Sequence, residues 1–368
     1  MRMTSRERFV ETTRFTKDVV PPYWDSMGFW NQTVERWHRE GLPDGVTPEK
    51  YFGMDVRPQV PTVSHFHVFM DPPFAREVLG EDETTVTYRN EFGVIAREFR
   101  QDGERSMPQF LDFPVKSRAD FEGLRQRLDP GSPRRYPDWH DAARELSGSE
   151  DEVGLMISGC FGFQRDLAGY ENLALLYYDD PELVRAMCRQ WAVLETGICE
   201  EVAAHVSVDF VYVWEDMACK NGPLIGPDMF ESFILPFYQE VMGRIRSLGI
   251  RCIIVDSDGN NDKLMPLFLK GGINGFLPIE IAAGMDPLAM RRRYGEQLLL
   301  CGGVDKRVLS RGKGEIEREL RSKVPPLVLA GGYIPTVDHS VPPDVSFENY
   351  AFYVELLRSM VNNPSRYV

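Results

Sequence analysis

The sequence predicts an α/β fold, a (β/α)8 TIM barrel in which an irregular N-terminal extension with a hairpin precedes regular strand–helix units. From about residue 150, short apolar runs alternate with helix-length segments, which is typical of a parallel sheet covered by helices. A length of 368 residues is normal for such a barrel with insertions. An open doubly wound sheet is the alternative, but no glycine-rich phosphate turn follows the first strand.

The regular part supplies six of the eight barrel strands. They are predicted at residues 153–158, 210–214, 252–255, 275–278, 298–301 and 332–336. Helices are predicted between them at residues 181–203, 227–247, 261–270, 286–294 and 313–320. A strand at 19–25 and one more complete the barrel. Residues 1–368 are therefore expected to form a single domain, irregular over about 1–150 and regular over about 151–368.

The irregular part carries its own local signals. Thr4 and Glu7 mark the start of a short helix, and residues 30–40 have helical spacing. Residues 84–88 and 93–99 alternate like the two strands of a hairpin. Residues 117–128 predict a capped amphipathic helix that ends before Pro130.

Charge and cysteine usage narrow the class of protein. A net charge of −14 repels phosphates and anionic lipids, so neither nucleic acid nor a membrane is an expected partner. Residues 1–17 contain no apolar stretch of signal-peptide length, and no segment approaches the length of a membrane span. None of the six cysteines belongs to a C-x-x-C pair. This pattern indicates reduced cysteines. We therefore expect a cytoplasmic protein.

Acidic residues follow nearly every strand of the regular part, where a barrel has its catalytic face. They are Glu215 and Asp216, Asp256 and Asp258, Glu280, Asp305, and Asp338 next to His339. So many carboxylates in one place repel each other unless positive charge or protons lie among them. A bound cation, the adjacent Lys306 and Arg307, a cationic substrate or protonation of some carboxylates would each relieve this repulsion.

Asp256, Asp258 and His339 are the strongest candidates for function. The two-residue spacing of the aspartates sends both side chains the same way if the strand continues, and Gly259 permits a sharp turn just after them. His339 is the only histidine at a strand end of the regular part. A lone histidine is more often a structural hydrogen-bonding residue, but its acidic neighbours favour a functional role.

Several other residues have a structural interpretation beside the functional one. Asp216 and Asp305 could serve only as helix caps. Glu215 could pair with Lys220.

Aromatic and histidine side chains of the irregular part are weaker candidates. Trp24 and Trp30 could line a pocket wall, although packing is the ordinary role of such residues. His65 and His67 alternate as a metal pair in a strand would, but no third ligand lies near them in the sequence. The segment 158–162 contains two glycines after a strand and could let a ligand approach the backbone.

Motifs between residues 158 and 349 resemble the uroporphyrinogen decarboxylase superfamily. The matching elements are Gly-Tyr-Glu at 169–171 followed by Asp-Asp-Pro-Glu-Leu-Val at 179–184, Gly-Pro-Leu-Ile-Gly-Pro-Asp-Met-Phe at 222–230 with Leu-Pro-Phe-Tyr at 235–238, Gly-Gly-Val-Asp at 302–305, and Gly-Gly-Tyr at 331–333 with Asp-His-Ser-Val-Pro-Pro at 338–343. The resemblance implies a barrel enzyme, either a decarboxylase like that of the heme pathway or a zinc-dependent methyltransferase that serves a corrinoid protein.

Two departures place the chain closer to the methyltransferase-like branch. The decarboxylase grips its acidic substrate with arginines in a loop after the first strand, and the corresponding residues 25–30 contain none. Arg165 stands near the place of the decarboxylase's pocket tyrosine. An acidic rim would also repel a substrate with many carboxylates.

The resemblance further implies a metal site. The methyltransferases hold zinc with a His-x-Cys after the fifth strand and a cysteine near the end of the eighth, and these positions fall on Asp256, Asp258 and His339. Such a set suits a divalent metal, with zinc as the leading candidate and manganese or iron as alternatives. The metal would act as a Lewis acid. The resemblance also implies a possible homodimer, because members of the superfamily often form one.

The leading prediction is a metal-assisted methyltransferase that moves a methyl group from a small substrate to the corrinoid of a partner protein. Glu215 or Glu280 would be the general acid or base, with Asp305 as a further catalytic candidate, and Arg165, Lys306 and Arg307 would bind substrate together with Trp24 and Trp30. One alternative is a decarboxylase or other lyase acting on a carboxylated substrate, tetrapyrroles included. The other is a non-catalytic barrel that binds a cationic or tetrapyrrole ligand.

Overall fold

Six parallel strands form the central sheet, and the chain visits them in order from one edge to the other. The computed structural model describes residues 3–24, 27–57, 59–62, 69–100 and 108–368. The strands are β1 (Glu77–Glu81), β2 (Thr85–Arg89), β3 (Ile95–Phe99), β4 (Gln109–Asp112), β5 (Gly154–Ser158), β6 (Phe210–Trp214), β7 (Ala218–Cys219), β8 (Gly222–Pro223), β9 (Cys252–Asp256), β10 (Gly275–Leu277), β11 (Leu299–Cys301) and β12 (Tyr333–Ile334). The central sheet has the order β5-β6-β9-β10-β11-β12.

Two segments outside these strands extend the barrel. Gln59 forms a parallel bridge to Gly154 of β5, and the N–H of Val60 donates to the Gly154 carbonyl at 2.9 Å. Phe29 forms a parallel bridge to Val341, a few residues beyond β12. The (β/α)8 barrel predicted from the sequence is confirmed.

The expected first strand at 19–25 is not regular. Residues 19–24 have no strand pairing, and Asp25 lies outside the described residues. Pro21 and Pro22 give the reason, because two consecutive prolines offer no N–H to a strand ladder. The segment still delivers Trp24 into the barrel, where its ring packs against Phe9 and Phe210.

The helices cover the sheet and link its strands. They are α1 (Ser5–Thr13), α2 (Asn31–Glu40), α3 (Pro48–Phe52), α4 (Arg118–Leu124), α5 (Trp139–Ser147), α6 (Cys160–Ala168), α7 (Tyr170–Asp179), α8 (Pro181–His205), α9 (Pro227–Met229), α10 (Leu235–Ser247), α11 (Met265–Lys270), α12 (Pro287–Tyr294), α13 (Lys313–Ala330) and α14 (Phe347–Asn362). No helix within the described ranges is long and apolar enough to cross a membrane.

Most local predictions agree with the structure. Thr4 and Glu7 form the capping box of α1. Strands β2 and β3 pair as the predicted hairpin within a four-stranded antiparallel sheet. The helix predicted at residues 313–320 differs in length. Helix α13 continues past residue 320 to Ala330 despite Pro325 and Pro326, and the buried Val324 and Leu327 hold this extension against the core.

Candidate active site

The register of the central strands places their C-terminal ends at one level. Ser158 of β5 pairs with Trp214 of β6, and Trp214 pairs with Asp256 of β9. The acidic residues that follow β6 and β9 therefore lie at the same level along the barrel axis. We call this end of the barrel the mouth, defined by Asp216, Asp258 and His339.

Asp258 and His339 form a close pair at the mouth. The Nε2 atom of His339 lies 3.2 Å from Oδ2 of Asp258, and the two side chains are 27% and 33% exposed. The other ring nitrogen, Nδ1, accepts the backbone N–H of Ser340 at 2.7 Å. A ring whose Nδ1 accepts must carry its proton on Nε2, the atom that lies within ion-pair distance of Asp258.

The second carboxylate oxygen of Asp258 has different surroundings. Its Oδ1 atom is buried, and it has no hydrogen-bond partner among the residues that the structure describes. A buried acceptor without a partner costs free energy, which a donor on a bound molecule would recover. Asp258 is thus held by His339 on one side and can accept a hydrogen bond on the other.

Asp216 lies next to Asp258, and its backbone conformation is unusual. Its φ of 47° lies in the left-handed region, where residues other than glycine are uncommon. The backbone N–H of Asp258 donates to its carboxylate, and Arg165 Nη1 lies 3.6 Å from its Oδ2. Burial raises the pKa of Asp216, an effect that the Arg165 charge opposes and the Asp258 charge reinforces.

Asp256 is buried in the barrel rather than at its mouth. The hydroxyl of Tyr212 donates to its Oδ2, and only 2% of the residue is exposed. Burial raises the pKa of Asp256 well above its ordinary value, while Asp258 and Asp216 add repulsion that works in the same direction. A carboxyl in this position favours the protonated state.

The three ligands implied by the resemblance do not form one metal-binding group. A zinc site needs three or more donors within about 2.3 Å of one point. Among the described residues, no group of three His, Cys, Asp or Glu side chains has this arrangement. Asp258 and His339 lie together, but the Oδ2 of Asp256 is hydrogen-bonded to Tyr212. We therefore derive no step through a metal.

Glu215, expected as a general acid or base, faces away from the mouth. Its Oε1 accepts the backbone N–H of Phe161 at 2.6 Å, and its Oε2 accepts the hydroxyl of Tyr238. No part of the side chain is exposed. Burial raises the pKa of Glu215 to about 7, although both hydrogen bonds oppose this shift. Its two carboxylate oxygens are thus bound by Phe161 and Tyr238 rather than by Lys220, the alternative partner.

Glu280 and Asp305 both form hydrogen bonds to neighbouring residues. Glu280 Oε2 accepts the N–H of Gly259 at 3.0 Å, which ties it to the turn after Asp258. Asp305 caps the short turn that follows it and binds Arg307 through both oxygens, at 2.8 Å and 2.7 Å. Burial alone would raise the pKa of Asp305, but the Arg307 guanidinium holds that pKa below its usual range. The capping alternative for Asp305 agrees with these contacts.

The cations after β11 are arranged around buried carboxylates. Arg307 is engaged by Asp305, and the backbone N–H of Lys306 donates to Asp338 Oδ1 at 2.9 Å. Asp338 is fully buried, and burial raises its pKa. Binding of substrate by Lys306 and Arg307 remains a prediction.

The two candidate tryptophans lie in different places. Trp24 is only 5% exposed, its ring packs on Phe210 at the start of β6, and its Nε1 donates to Glu152 just before β5. The start of each strand lies opposite the mouth, and this corrects the expectation that Trp24 binds substrate there. Trp30 is exposed and its N–H donates to Val341, near His339. His65 and His67 lie outside the described residues.

Sequence reasoning missed two residues near the aspartates. Tyr212 precedes Trp214 by two positions and therefore shares its face of β6, a signal that strand alternation offers. Arg57 lies with its guanidinium 4.9 Å from the Trp24 ring, and its charge opposes the rise in the pKa of Asp256. Arg57 belongs to the irregular part, where no periodicity pointed to it.

Comparisons with known proteins agree with this fold. The family model described as Uroporphyrinogen decarboxylase (URO-D) matches residues 100–360. A uroporphyrinogen decarboxylase of Legionella pneumophila is 22% identical over 207 residues, which are 56% of this chain and 54% of that protein. One from Idiomarina loihiensis is 22% identical over 282 residues, 68% of this chain and 70% of that protein. The chain thus spans about half the length of the Legionella relative.

A solved structure extends the likeness to nearly the whole chain. A methyltransferase from Methanosarcina mazei superposes with a TM-score of 0.62 at 15% identity, covering 98% of this chain and 99% of that one. At this identity the likeness shows the fold. The family match over residues 100–360 establishes that the chain belongs to the uroporphyrinogen decarboxylase (URO-D) family.

Proposed function

We propose that the chain is an enzyme that transfers a methyl group from a small methoxy or methylamino substrate. In this proposal Asp216 gives a proton to the atom that loses the methyl group, and Asp258 accepts a hydrogen bond from the substrate. The observation that carries it is the Asp258 carboxylate. One of its oxygens lies 3.2 Å from His339 Nε2, and the other is buried without a hydrogen-bond partner in the part of the chain that the structure describes.

The two aspartates have different environments. One oxygen of Asp258 lies 3.2 Å from His339 Nε2, and its side chain is one-third exposed. Burial and the nearby Asp258 charge favour the neutral form of Asp216. Two neighbouring carboxyl groups in unlike environments are a common arrangement in sites that transfer a proton.

The proposed step balances as follows. The bond between the methyl carbon and the substrate oxygen or nitrogen breaks, and its electron pair stays on that oxygen or nitrogen. The proton of Asp216 moves to the same atom, which gives an alcohol or an amine, and the methyl group forms a bond to an acceptor. General acid catalysis of this kind typically contributes about 10²- to 10⁴-fold to the rate.

The methyl acceptor is the corrinoid of a separate protein in this proposal. A reduced corrinoid supplies a strong nucleophile for methyl groups. This chain's own residues would bind the methyl donor, orient it and move the proton. The acidic mouth suits a neutral or cationic substrate better than one with many carboxylates, because Asp216 and Asp258 would repel the latter.

Decarboxylation is the second candidate, and the family match and the named relatives favour it. Asp216 would then protonate the carbon that loses carbon dioxide, and Asp258 would stabilise positive charge that develops on the substrate. Both candidates use the same pair of aspartates and differ in the bond that breaks.

The test follows both bonds in one experiment. The purified protein is incubated with a panel of methoxy and methylamino compounds and free cob(I)alamin as acceptor, and demethylated product is measured by mass spectrometry. A parallel panel of carboxylated compounds, uroporphyrinogen included, is assayed for carbon dioxide release. Demethylation that Asp258→Asn abolishes would support the leading proposal. Carbon dioxide release without demethylation would replace it with the second.

A further inference from the structure

Glu215 connects three elements behind the mouth. It follows directly on β6, its Oε1 accepts the N–H of Phe161 in the first turn of α6, and its Oε2 accepts the hydroxyl of Tyr238 on α10. The first turn of a helix has unpaired N–H groups that attract a carboxylate. Gly159, which precedes α6, has no side chain to cap this turn, and Glu215 supplies the acceptor from another strand.

The packing around this carboxylate leaves no spare room. A Cβ atom built on Gly159 would lie 1.9 Å from Oε2 and 2.6 Å from Cα of Glu215. A Cβ atom on Gly162 would lie 3.1 Å from the Glu215 carbonyl oxygen. The two glycines therefore allow α6 to begin in direct contact with the end of β6, and the contact fixes where both elements lie.

Asp216, the next residue, is held in place by contacts with β9 and with α6. The N–H groups of Glu215 and Asp216 both donate to the Asp256 carbonyl, at 2.9 Å and 3.1 Å. Arg165, which lies on α6, donates to the Asp216 carbonyl and pairs with its carboxylate. A left-handed aspartate persists only where its surroundings hold it, since this conformation is sterically unfavourable for residues other than glycine.

From these contacts we infer that Glu215 is a positioning residue that holds Asp216 and Arg165 in the geometry required for proton transfer at the mouth. The inference rests on the proposed function for its purpose, but the positioning itself can be measured without a substrate. Glu215 does not reach the reacting atoms. It fixes the start of α6, and α6 brings Arg165 to Asp216.

The experiment follows the titration of the Asp216 carboxyl by ¹³C NMR in the full chain labelled at aspartate carboxyl carbons, with Asp216→Asn to assign the signal. In the wild type, burial raises the pKa of Asp216. Glu215→Ala should release the residue toward solvent and lower its pKa toward the usual value of about 3.9. Glu215→Gln, which keeps an acceptor for Phe161, should restore most of the wild-type titration. Tyr238→Phe, which removes one hydroxyl, should give a smaller fall.

Glu152 provides a matched control. It is another fully buried glutamate whose pKa burial raises to about 7, but it binds Trp24 and Ser5 at the opposite end of the barrel. Glu152→Ala should leave the Asp216 titration unchanged. An unchanged Asp216 titration in folded Glu215→Ala, or in Tyr238→Phe if the first variant does not fold, would overturn the inference. A shifted titration in a protein that transfers no methyl group would overturn only the proposed function.

Discussion

His339 Nε2 lies 3.2 Å from Asp258 Oδ2, while His339 Nδ1 is occupied by the backbone N–H of Ser340. His339 therefore faces this aspartate with the ring nitrogen that carries its proton. The second oxygen of Asp258 is buried without a hydrogen-bond partner among the described residues. In the proposed function, Asp258 accepts a hydrogen bond from the substrate and Asp216 supplies the proton.

Replacing Asp258 should remove activity with little effect on folding. Asp258→Asn loses the negative charge and places an amide where the substrate donor would bind, so we expect turnover to fall by about 10²-fold or more. Its side chain is one-third exposed, so the midpoint of thermal unfolding should change little. Glu201→Gln is the control, because Glu201 forms a similar pair with His205, at 3.3 Å, on the outside of α8. Equal losses in both variants would contradict this role for Asp258.

Asp256→Asn should be tolerated far better than Asp258→Asn. Burial raises the pKa of Asp256 and favours its neutral form, although the hydrogen bond from Tyr212 opposes this shift. The amide oxygen of asparagine can accept the same hydrogen bond. Turnover is expected to stay within about 10-fold of the wild type, since no transferred proton is lost. Metal content measured by mass spectrometry checks the other interpretation. A bound metal that is lost in Asp256→Asn would show that this residue is a ligand.

Stability should fall as pH rises toward neutrality, partly because of Glu215. Its carboxyl ionises near 4.5 in the unfolded chain and near 7 in the folded protein, so the unfolded state releases the proton first. The contribution is complete below pH 4.5 and is lost as pH rises through about 7, on the order of 3 kcal/mol in total. Glu215→Gln should flatten this part of the curve of unfolding free energy against pH. An unchanged slope in denaturant titrations would contradict the shift.

Gly159→Ala should destabilise the protein and disturb the mouth. The added methyl group would meet Glu215 at 1.9 Å, and overpacking of this kind costs about 1–3 kcal/mol. Gly243→Ala on α10 is the control, since a Cβ there meets nothing within 4 Å and alanine should stabilise the helix by about 0.5–1 kcal/mol. Chemical denaturation measures both changes. A neutral Gly159→Ala variant would show that Glu215 can move without cost.

The sequence was sufficient to predict the barrel and to place acidic residues after its strands. Buried parallel strands read as apolar runs, and Asp216, Asp258 and His339 were found because they follow such runs. It was not sufficient for side-chain direction. Adjacent residues at a strand end point to opposite sides, so Glu215 faces the helices while Asp216 faces the mouth, and only the contacts with Tyr238 and Arg165 decide which is which.

Local hydrogen bonds and contacts between distant segments also lay beyond sequence reasoning. The tautomer of His339 follows from a bond to Ser340 that no spacing rule predicts. The irregular path of residues 19–24 hid the fact that Trp24 enters the barrel from the end opposite the mouth. Both features depend on three-dimensional packing rather than on periodicity.

The leaving-group dependence of methyl transfer tests the central claim most directly. Wild type and Asp216→Asn are compared on two aryl methyl ethers that differ only in a ring nitro group, with free cob(I)alamin as acceptor. If Asp216 donates the proton, the variant should lose about 10²-fold or more on the unsubstituted ether and much less on the nitro ether, whose phenolate leaves without a proton. An equal loss on both ethers would show that Asp216 does not act as the acid.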